Sequence, residues 1–185
     1  DFFTAHVLDA RTGEQAAVLK HQFDADQYTR QVYCLGMYYQ QALIGIEANF
    51  DSYPIRELQR LGYPRQYVRL AQDSNTGKTE RRFGFKTTSL TRPTAISRLI
   101  ELVREHCDLI RDEDTLEELL TIVRNEKGRI EAPIGGHDDQ MMGLAIAHEV
   151  RSQVVFDQSP ICMEQAGWFG RREERRDTGE EIRVI

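Results

Sequence analysis

The sequence predicts an α/β domain, and three observations near the N-terminus lead to this prediction. Residues 4–9 and 15–23 are rich in strand-forming residues and are separated by the turn-like stretch 11–14, so they predict a hairpin. Residues 26–40 then carry apolar side chains at helical spacing, which predicts a first helix. The run 42–46 is short, apolar and rich in branched side chains, as in an interior strand covered on both faces.

The rest of the chain continues the alternation of helices and strands as far as residue 150. The polar stretch 72–91 is predicted to be a loop or an exposed hairpin. Further helices are predicted at 54–61, from Pro93 onward, over an amphipathic stretch with Leu116, Leu119, Leu120 and Val123 on one side, and at 138–150. Further strands are predicted at 66–70, 109–110 and 129–132. The last helix is apolar on most sides, which predicts that it is buried.

Length and composition fit one ordinary domain with an extension. With 185 residues, 40% of them hydrophobic, the chain can bury a core, and we expect a domain over 1–150 and a C-terminal extension or tail over 151–185. No stretch approaches the roughly 20 apolar residues of a membrane helix, and the N-terminus lacks the layout of a secretory signal. The sequence therefore predicts a soluble, intracellular protein without a membrane partner.

Cysteine content and charge narrow the possible functions. Cys34, Cys107 and Cys162 are widely spaced and form no Cys-x-x-Cys pair, which argues against a zinc or redox site, so we expect buried, reduced thiols. The net charge of −6 repels phosphate. Binding to DNA would therefore require a local basic surface.

Three carboxylates stand where a solvated surface charge is unusual. Glu47 follows the apolar run 42–46, and Asp138 and Asp139 begin the apolar last helix. Such carboxylates are costly to desolvate unless a metal ion or hydrogen bonds hold them. A metal site is one interpretation. The alternative is that Asp138 caps the helix and that Glu47 pairs with an arginine.

Several segments resemble the nuclease domain of phage large terminase subunits, and they follow the order of that family along residues 1–150. The most specific is 135–147, which is similar to the Gly-His-Asp-Asp segment and small-residue helix that close the domain. The others resemble the second acidic segment, the strand after it, an early hairpin, and a glycine-aromatic-x-Thr stretch before a helix. They lie at 43–49, 62–67, 1–11, and 83–88 with Arg92 and Pro93.

The resemblance implies a ribonuclease H-like mixed sheet flanked by helices, with two divalent ions, magnesium or manganese, held by acidic side chains. The implied metal ligands are Glu47, Asp138 and Asp139, and His137 is implied as a group near the substrate. The alternative for His137 is local capping or packing. Carboxylates are the ligands that such hard cations prefer, and two ions about 4 Å apart can activate water and stabilise a leaving oxygen.

The first catalytic aspartate of the family lies on a strand that precedes the segment matched by 1–11. The resemblance therefore implies that this chain lacks the first strand of the sheet. Asp1 matches only a less strict aspartate, which makes it a further candidate ligand. Without that strand we expect the fragment to be impaired in catalysis, and an uncovered strand edge favours dimerisation.

Five basic residues cluster around the polar stretch: Lys78, Arg81, Arg82, Lys86 and Arg92. In the functional interpretation they contact DNA phosphates without reading the sequence, and the alternative is a solvated hairpin. Residues 77–79 do not belong to a phosphate-binding loop, because Gln72 stands where that motif requires its first glycine.

The leading hypothesis is a metal-dependent endonuclease domain that cuts concatemeric double-stranded viral DNA during packaging. The resemblance also implies an upstream ATPase domain in the same protein, the portal and the small terminase subunit as partners, and a phage or prophage protein in the bacterial cytoplasm. The alternatives are another ribonuclease H-like nuclease, of the resolvase or integrase type, and a non-catalytic DNA-binding or portal-docking module. For the tail, a packed extension and a docking segment both stay open.

Overall fold

The computed structural model describes residues 2–22, 24–49, 51–72, 77–126, 128–154 and 183–184. Its first element is the predicted hairpin, in which β1 (Phe3–Asp9) and β2 (Gln15–His21) pair antiparallel. The turn between them is stabilised by the carboxylate of Asp9, which accepts the N–H groups of Arg11 and Thr12. Helix α1 (Ala25–Tyr38) follows, where the apolar periodicity predicts it.

The segment 42–47 is extended, as expected, but it forms single parallel bridges instead of a regular strand. Ile44 bridges Gln66, and Glu47 bridges Phe85. These partners come from two separate places in the chain, so the pairings between described residues form no continuous ladder along the 42–47 segment. Helix α2 (Tyr53–Arg60) comes next, with Pro54 in its first turn.

The polar stretch 72–91 supplies one strand of an exposed hairpin, and the other strand corresponds to the one predicted at 66–70. β3 (Val68–Gln72) and β4 (Thr79–Phe83) pair antiparallel, and every residue of β4 is exposed. The guanidinium of Arg69 donates to the carbonyl groups of Phe83 and Gly84. With so little burial, the hairpin depends mainly on its own ladder and on these hydrogen bonds.

The middle of the chain contains two helices and a small two-stranded ladder. They are α3 (Thr91–Glu105), α4 (Glu113–Thr121), β5 (Val123–Arg124) and β6 (Ile130–Glu131). The strand predicted at 109–110 is wrong, because Cys107–Leu109 form a 3-10 turn between α3 and α4. The prediction of an apolar side on α4 is wrong at the C-terminal end of the helix. The helix stops at Thr121, and Leu120 and Val123 are 87% and 46% exposed.

Helix α5 (Asp139–Arg151) is the predicted buried helix, and it packs along β1. The last described element is β7 (Arg183–Val184), which pairs antiparallel with Leu8 and Asp9 of β1. β1 therefore lies between β2 and β7 in a three-stranded sheet.

The described elements form three layers, because β1 and the 42–47 segment bury side chains on both faces. Ala5, Val7 and Ile44 belong to an apolar cluster with residues of α1 and α2. Leu8 and Leu43 belong to a second cluster, with residues of α3 and α5. Alternate residues of an extended chain point to opposite faces, so a helical layer covers each face. Parallel bridges and antiparallel ladders together confirm the mixed α/β class.

The remaining sequence predictions concern the cysteines, the tail and membrane helices. Cys34 in α1 and Cys107 in the 3-10 turn are free and exposed, so the expectation of buried thiols is wrong for both. Asp1, Cys162 and most of the tail lie outside the described residues. Within the described ranges, no helix combines the length and the apolar character that crossing a membrane requires.

Two glycines allow α5 to lie close to the sheet layer. A Cβ atom added to Gly143 of α5 would lie 2.7 Å from Oγ1 of Thr4 in β1. A Cβ atom added to Gly45 would overlap Cγ2 of Val150 near the other end of α5. Side chains larger than hydrogen at these positions would therefore force the helix away from the sheet layer.

His6 of β1 is buried between the first hairpin and α5. His6 is 1% exposed, and its Nδ1 lies 2.9 Å from the side-chain amide of Gln15. Gln15 in turn accepts the N–H groups of Arg111 and Asp112, each at 2.8 Å, at the start of α4. Burial lowers the pKa of His6 to about 4, although the charge of Asp112 acts in the opposite direction. His6 is therefore neutral in the folded protein at neutral pH.

We expect Gly45→Ala to lower the free energy of unfolding by about 1–3 kcal/mol, because the added methyl group overpacks the contact with Val150. Val150→Ala removes the side chain that this methyl group would strike. The double variant should therefore be less destabilised than the sum of the two single variants. Urea unfolding of the four proteins measures the coupling, and strict additivity would contradict the contact.

The burial of His6 makes stability fall as the pH falls. Below about pH 6.5 the unfolded chain takes up a proton on His6, whereas the folded chain does so only near its pKa of about 4. We expect this group to remove about 2 kcal/mol from the free energy of unfolding between about pH 8 and about pH 5. Urea unfolding at both pH values measures the loss. In His6→Gln, which has no titrating ring, the loss should shrink by that amount, and an unchanged loss would refute this role.

Candidate functional site

A cavity of about 350 Å³ lies between the start of β1 and residues 45–47 of the sheet layer. Its walls are mainly apolar and come from both helical layers, including Tyr28 and Val32 of α1 and Met142, Gly143, Ile146 and Ala147 of α5. The acidic residues along it are Glu47, Asp51 and Asp139. A cavity that combines apolar walls with a few convergent charged groups is the usual form of a binding site.

Glu47 reaches the cavity from the end of the 42–47 segment and is half-buried. The sequence left open that it pairs with an arginine, but no ion pair to Glu47 occurs among the described residues. Burial, together with the nearby charge of Glu47, raises the pKa of Tyr28 above its ordinary value. The Tyr28 hydroxyl donates to the carbonyl of Thr4, so Glu47 lies near the start of β1.

Asp138 precedes α5, and its side chain accepts no capping hydrogen bond from that helix. Its Oδ2 instead lies 2.5 Å from Nη2 of Arg92 in α3. The two side chains are only 29% and 17% exposed, so this ion pair is largely shielded from water. Arg92, which the sequence suggested as a DNA contact, therefore balances the charge of Asp138 in this structure.

Asp139 begins α5 and lies against the start of β1. Its Oδ2 accepts the N–H of Phe2 at 3.0 Å, and its carbonyl accepts the hydroxyl of Thr4 at 3.0 Å. Nδ1 of His137 lies 3.6 Å from the same Oδ2, and the His137 ring packs edge-on against Phe2. The His137 side chain is 48% exposed, so it lies on the solvent side of Asp139. Its nearness to Asp139 and its packing on Phe2 leave both interpretations of His137 open.

Two further carboxylates belong to this region and were missed from the sequence. Asp51 lines the cavity and accepts the N–H of Tyr53 at 2.7 Å. Glu118 of α4 accepts the N–H of Met141 in α5 at 2.8 Å. Burial raises the pKa of Glu118, although the amides of Met141 and Gln140 favour its charged form. The closeness of Asp51 to Glu47 in sequence was a usable signal, whereas no local pattern marks Glu118, since its partner lies 23 residues away.

The donor chemistry fits a hard divalent cation, because carboxylate oxygens are the ligands that magnesium and manganese prefer. Glu47 and Asp139 line the same cavity, and Asp138 is the neighbour of Asp139. Among the described residues, however, no three histidine, cysteine, aspartate or glutamate side chains meet closely enough to hold a metal ion. Two of the predicted ligands, Glu47 and Asp139, therefore lie on one cavity, but the described residues complete no three-ligand group.

Four of the basic residues suggested for DNA binding are exposed on or beside the β3–β4 hairpin: Lys78, Arg81, Arg82 and Lys86. Arg82 lies 3.4 Å from Glu80, and both side chains are about half exposed, so this pair contributes little. Contact with DNA stays a prediction. The geometry does separate the hairpin residues from Arg92, which is engaged at the acidic site.

The chain is similar to a solved structure, that of the large terminase nuclease from thermophilic phage G20c. The two chains are 22% identical with a TM-score of 0.58, over 80% of this chain and 75% of the other. No protein-family model matches the sequence. The search of curated proteins also gave no match. The structural similarity shows a common fold, which confirms the architecture that the resemblance implied. This chain has the fold of a phage large terminase nuclease.

Proposed function

We propose that this chain is the endonuclease domain of a viral DNA-packaging terminase and that it cuts concatemeric double-stranded DNA. The observation that carries the proposal is the placement of Glu47 and Asp139 on one cavity, in a fold shared with a terminase nuclease. Carboxylates beside apolar walls are costly unless cations or hydrogen bonds hold them. Glu47 has no cationic partner among the described residues, which leaves it available to a metal ion.

Two magnesium or manganese ions are the proposed cofactors, with Glu47, Asp138 and Asp139 as the residues that would hold them. The chemistry that such ions supply is the activation of water and the stabilisation of the leaving oxygen of a phosphodiester. The chain itself orients the carboxylates: the Phe2 amide and the Thr4 hydroxyl hold Asp139 and its backbone in place. His137, on the solvent side of Asp139, is the proposed group on the substrate side.

Arg92 is proposed as the charge partner of Asp138 while no metal ion is bound. Its guanidinium sits on the carboxylate that a metal ion would also need. A metal ion that binds Asp138 would therefore have to displace Arg92 from an ion pair that is largely shielded from water. Once displaced, Arg92 would be close enough to the acidic site to contact a DNA phosphate.

The cavity offers a place for the additional aspartate that the resemblance implies. It lies in the sheet layer between β1 and residues 45–47, with α1 and α5 on either side. We propose that a further carboxylate placed there would stand between Glu47 and Asp139.

The β3–β4 hairpin is the proposed DNA-contacting surface. Its basic side chains are exposed, whereas the net charge of the whole chain is −6. Phosphate contacts from such side chains hold DNA without reading its sequence. An upstream ATPase domain, the portal and the small terminase subunit are the proposed partners of the whole protein, in the cytoplasm of a bacterial host.

A non-catalytic DNA-binding module is the second candidate. It is favoured by the lack of a convergent three-ligand group among the described residues. Calorimetry with manganese discriminates between the two, because tight binding of two ions is hard to reconcile with a purely structural role.

Removal of Glu47 or Asp138 tests the catalytic assignment. We expect Glu47→Ala and Asp138→Ala each to lower manganese-dependent plasmid cleavage by about 100-fold or more, since a ligand of a catalytic metal contributes several kcal/mol to the transition state. The measurement uses the protein together with the upstream sequence that the resemblance implies. Glu117→Ala, at an exposed acid of α4, is the control. Undiminished cutting in both variants would exclude the assignment.

Removal of one charge from the hairpin tests the DNA surface. We expect Arg81→Ala to weaken binding to any duplex sequence and to reduce the slope of log affinity against log salt concentration by about one. Fluorescence anisotropy with labelled duplexes over a salt series measures this. Arg104→Ala, at an exposed arginine in the last turn of α3, is the matched control. Equal slopes for the two variants would argue against the hairpin as the contact surface.

A further inference from the structure

The two acidic residues at the start of α5 form hydrogen bonds to other elements and do not cap their own helix. The first amide groups of any helix have no partner within the helix, and an aspartate just before the helix normally accepts one of them. Asp138 occupies that position, but its side chain makes no capping hydrogen bond and pairs with Arg92. Asp139, one residue later, directs its carboxylate to the amide of Phe2.

Glu118 of α4 takes the capping role from outside the helix. Its Oε1 accepts the N–H of Met141 at 2.8 Å, and the amide of Gln140 also stabilises its carboxylate. Asp112, which caps α4 itself, lies 3.5 Å from the side-chain amide of Gln140. Helix α4 therefore contacts the first turn of α5 at two places.

This arrangement leaves the carboxylates of Asp138 and Asp139 outside the hydrogen bonding of their own helix. Both side chains stay partly exposed, by 29% and 23%, and both face groups on other elements. The Met141 amide, which would otherwise be available to them, is held by Glu118. With an acceptor supplied by α4, the carboxylates of Asp138 and Asp139 face partners outside α5.

We propose that Glu118 is a positioning residue: by capping α5 from α4 it holds the first turn in place and keeps Asp138 and Asp139 available to a divalent cation. The role in metal binding rests on the proposed function, whereas the hydrogen bond by which Glu118 caps α5 does not depend on it. Without Glu118 the amide of Met141 loses its acceptor. The first turn then frays, and the two aspartates lose their fixed placement.

Three variants test the role of Glu118. Glu118→Ala removes the acceptor, Glu118→Gln keeps a side-chain oxygen of similar reach without the charge, and Glu117→Ala removes an exposed neighbouring acid on the same helix. Manganese binding is measured by calorimetry well below the melting temperature of each protein. Amide hydrogen exchange is measured by NMR without metal.

We expect Glu118→Ala to weaken manganese binding by about tenfold or more, as loss of a group that orients a metal ligand commonly does. Exchange at Met141 should become about fivefold faster, in line with loss of a helix cap. Glu118→Gln should stay close to wild type in both measurements, and so should Glu117→Ala. A residue that only stabilises the fold would change the melting temperature and leave the affinity of the folded protein unchanged.

The outcomes separate this inference from the proposed function. If wild type binds manganese and Glu118→Ala binds it equally well, the positioning role is overturned and the metal site stands. Equal losses in Glu118→Ala and Glu118→Gln would assign the effect to charge, which also overturns it. If Glu118→Ala fails to fold, a large loss in Glu118→Gln still decides against capping. If wild type binds no manganese, the metal site and the positioning role both fall, while hydrogen exchange decides whether Glu118 caps α5.

Discussion

The packing of α5 along β1 determines where the candidate site residues lie. Gly143 permits the close approach, and the two elements are joined at both ends. At one end Asp139 accepts the amide of Phe2, and at the other Arg151 donates to the carbonyl of Ala10 at 2.7 Å. A helix held at both ends in a close-packed interior has little freedom to slide or rotate. The acidic end of α5 therefore keeps its position beside the cavity without any ion to hold it.

The acidic groups around this end differ in how their charge is compensated. Asp138 has the guanidinium of Arg92, and Glu118 has the backbone amide of Met141 in α5. Asp139 has one amide and, at 3.6 Å, an imidazole, while Glu47 has no ionic partner in the described part of the chain. The least compensated carboxylate lies on the cavity, where a cation would lower its electrostatic cost most.

The sequence predicts those features whose signal is local. The first hairpin and α5 follow from alternation and helical periodicity, and both are present. The strand predicted at 109–110 is wrong because two apolar residues suit a strand and a turn equally well, and Leu120 has helical spacing but is 87% exposed. The acidic residues could be named because each follows or begins an apolar element. Their partners could not, because Arg92 lies 46 residues from Asp138 and no local pattern reports such a contact.

The hydrogen bond between Phe2 and Asp139 can form only late in the synthesis and folding of the domain. The two residues are 137 positions apart, so the contact encloses almost the whole described domain. Contacts of such long range form only after other interactions have offset the entropy of closing the loop. On the ribosome, residue 139 follows residue 2 by on the order of ten seconds at ordinary speeds of synthesis. Glu47 is made in the first half of that interval, whereas Asp138 and Asp139 are made only at its end, so a growing chain cannot assemble the site before α5 emerges.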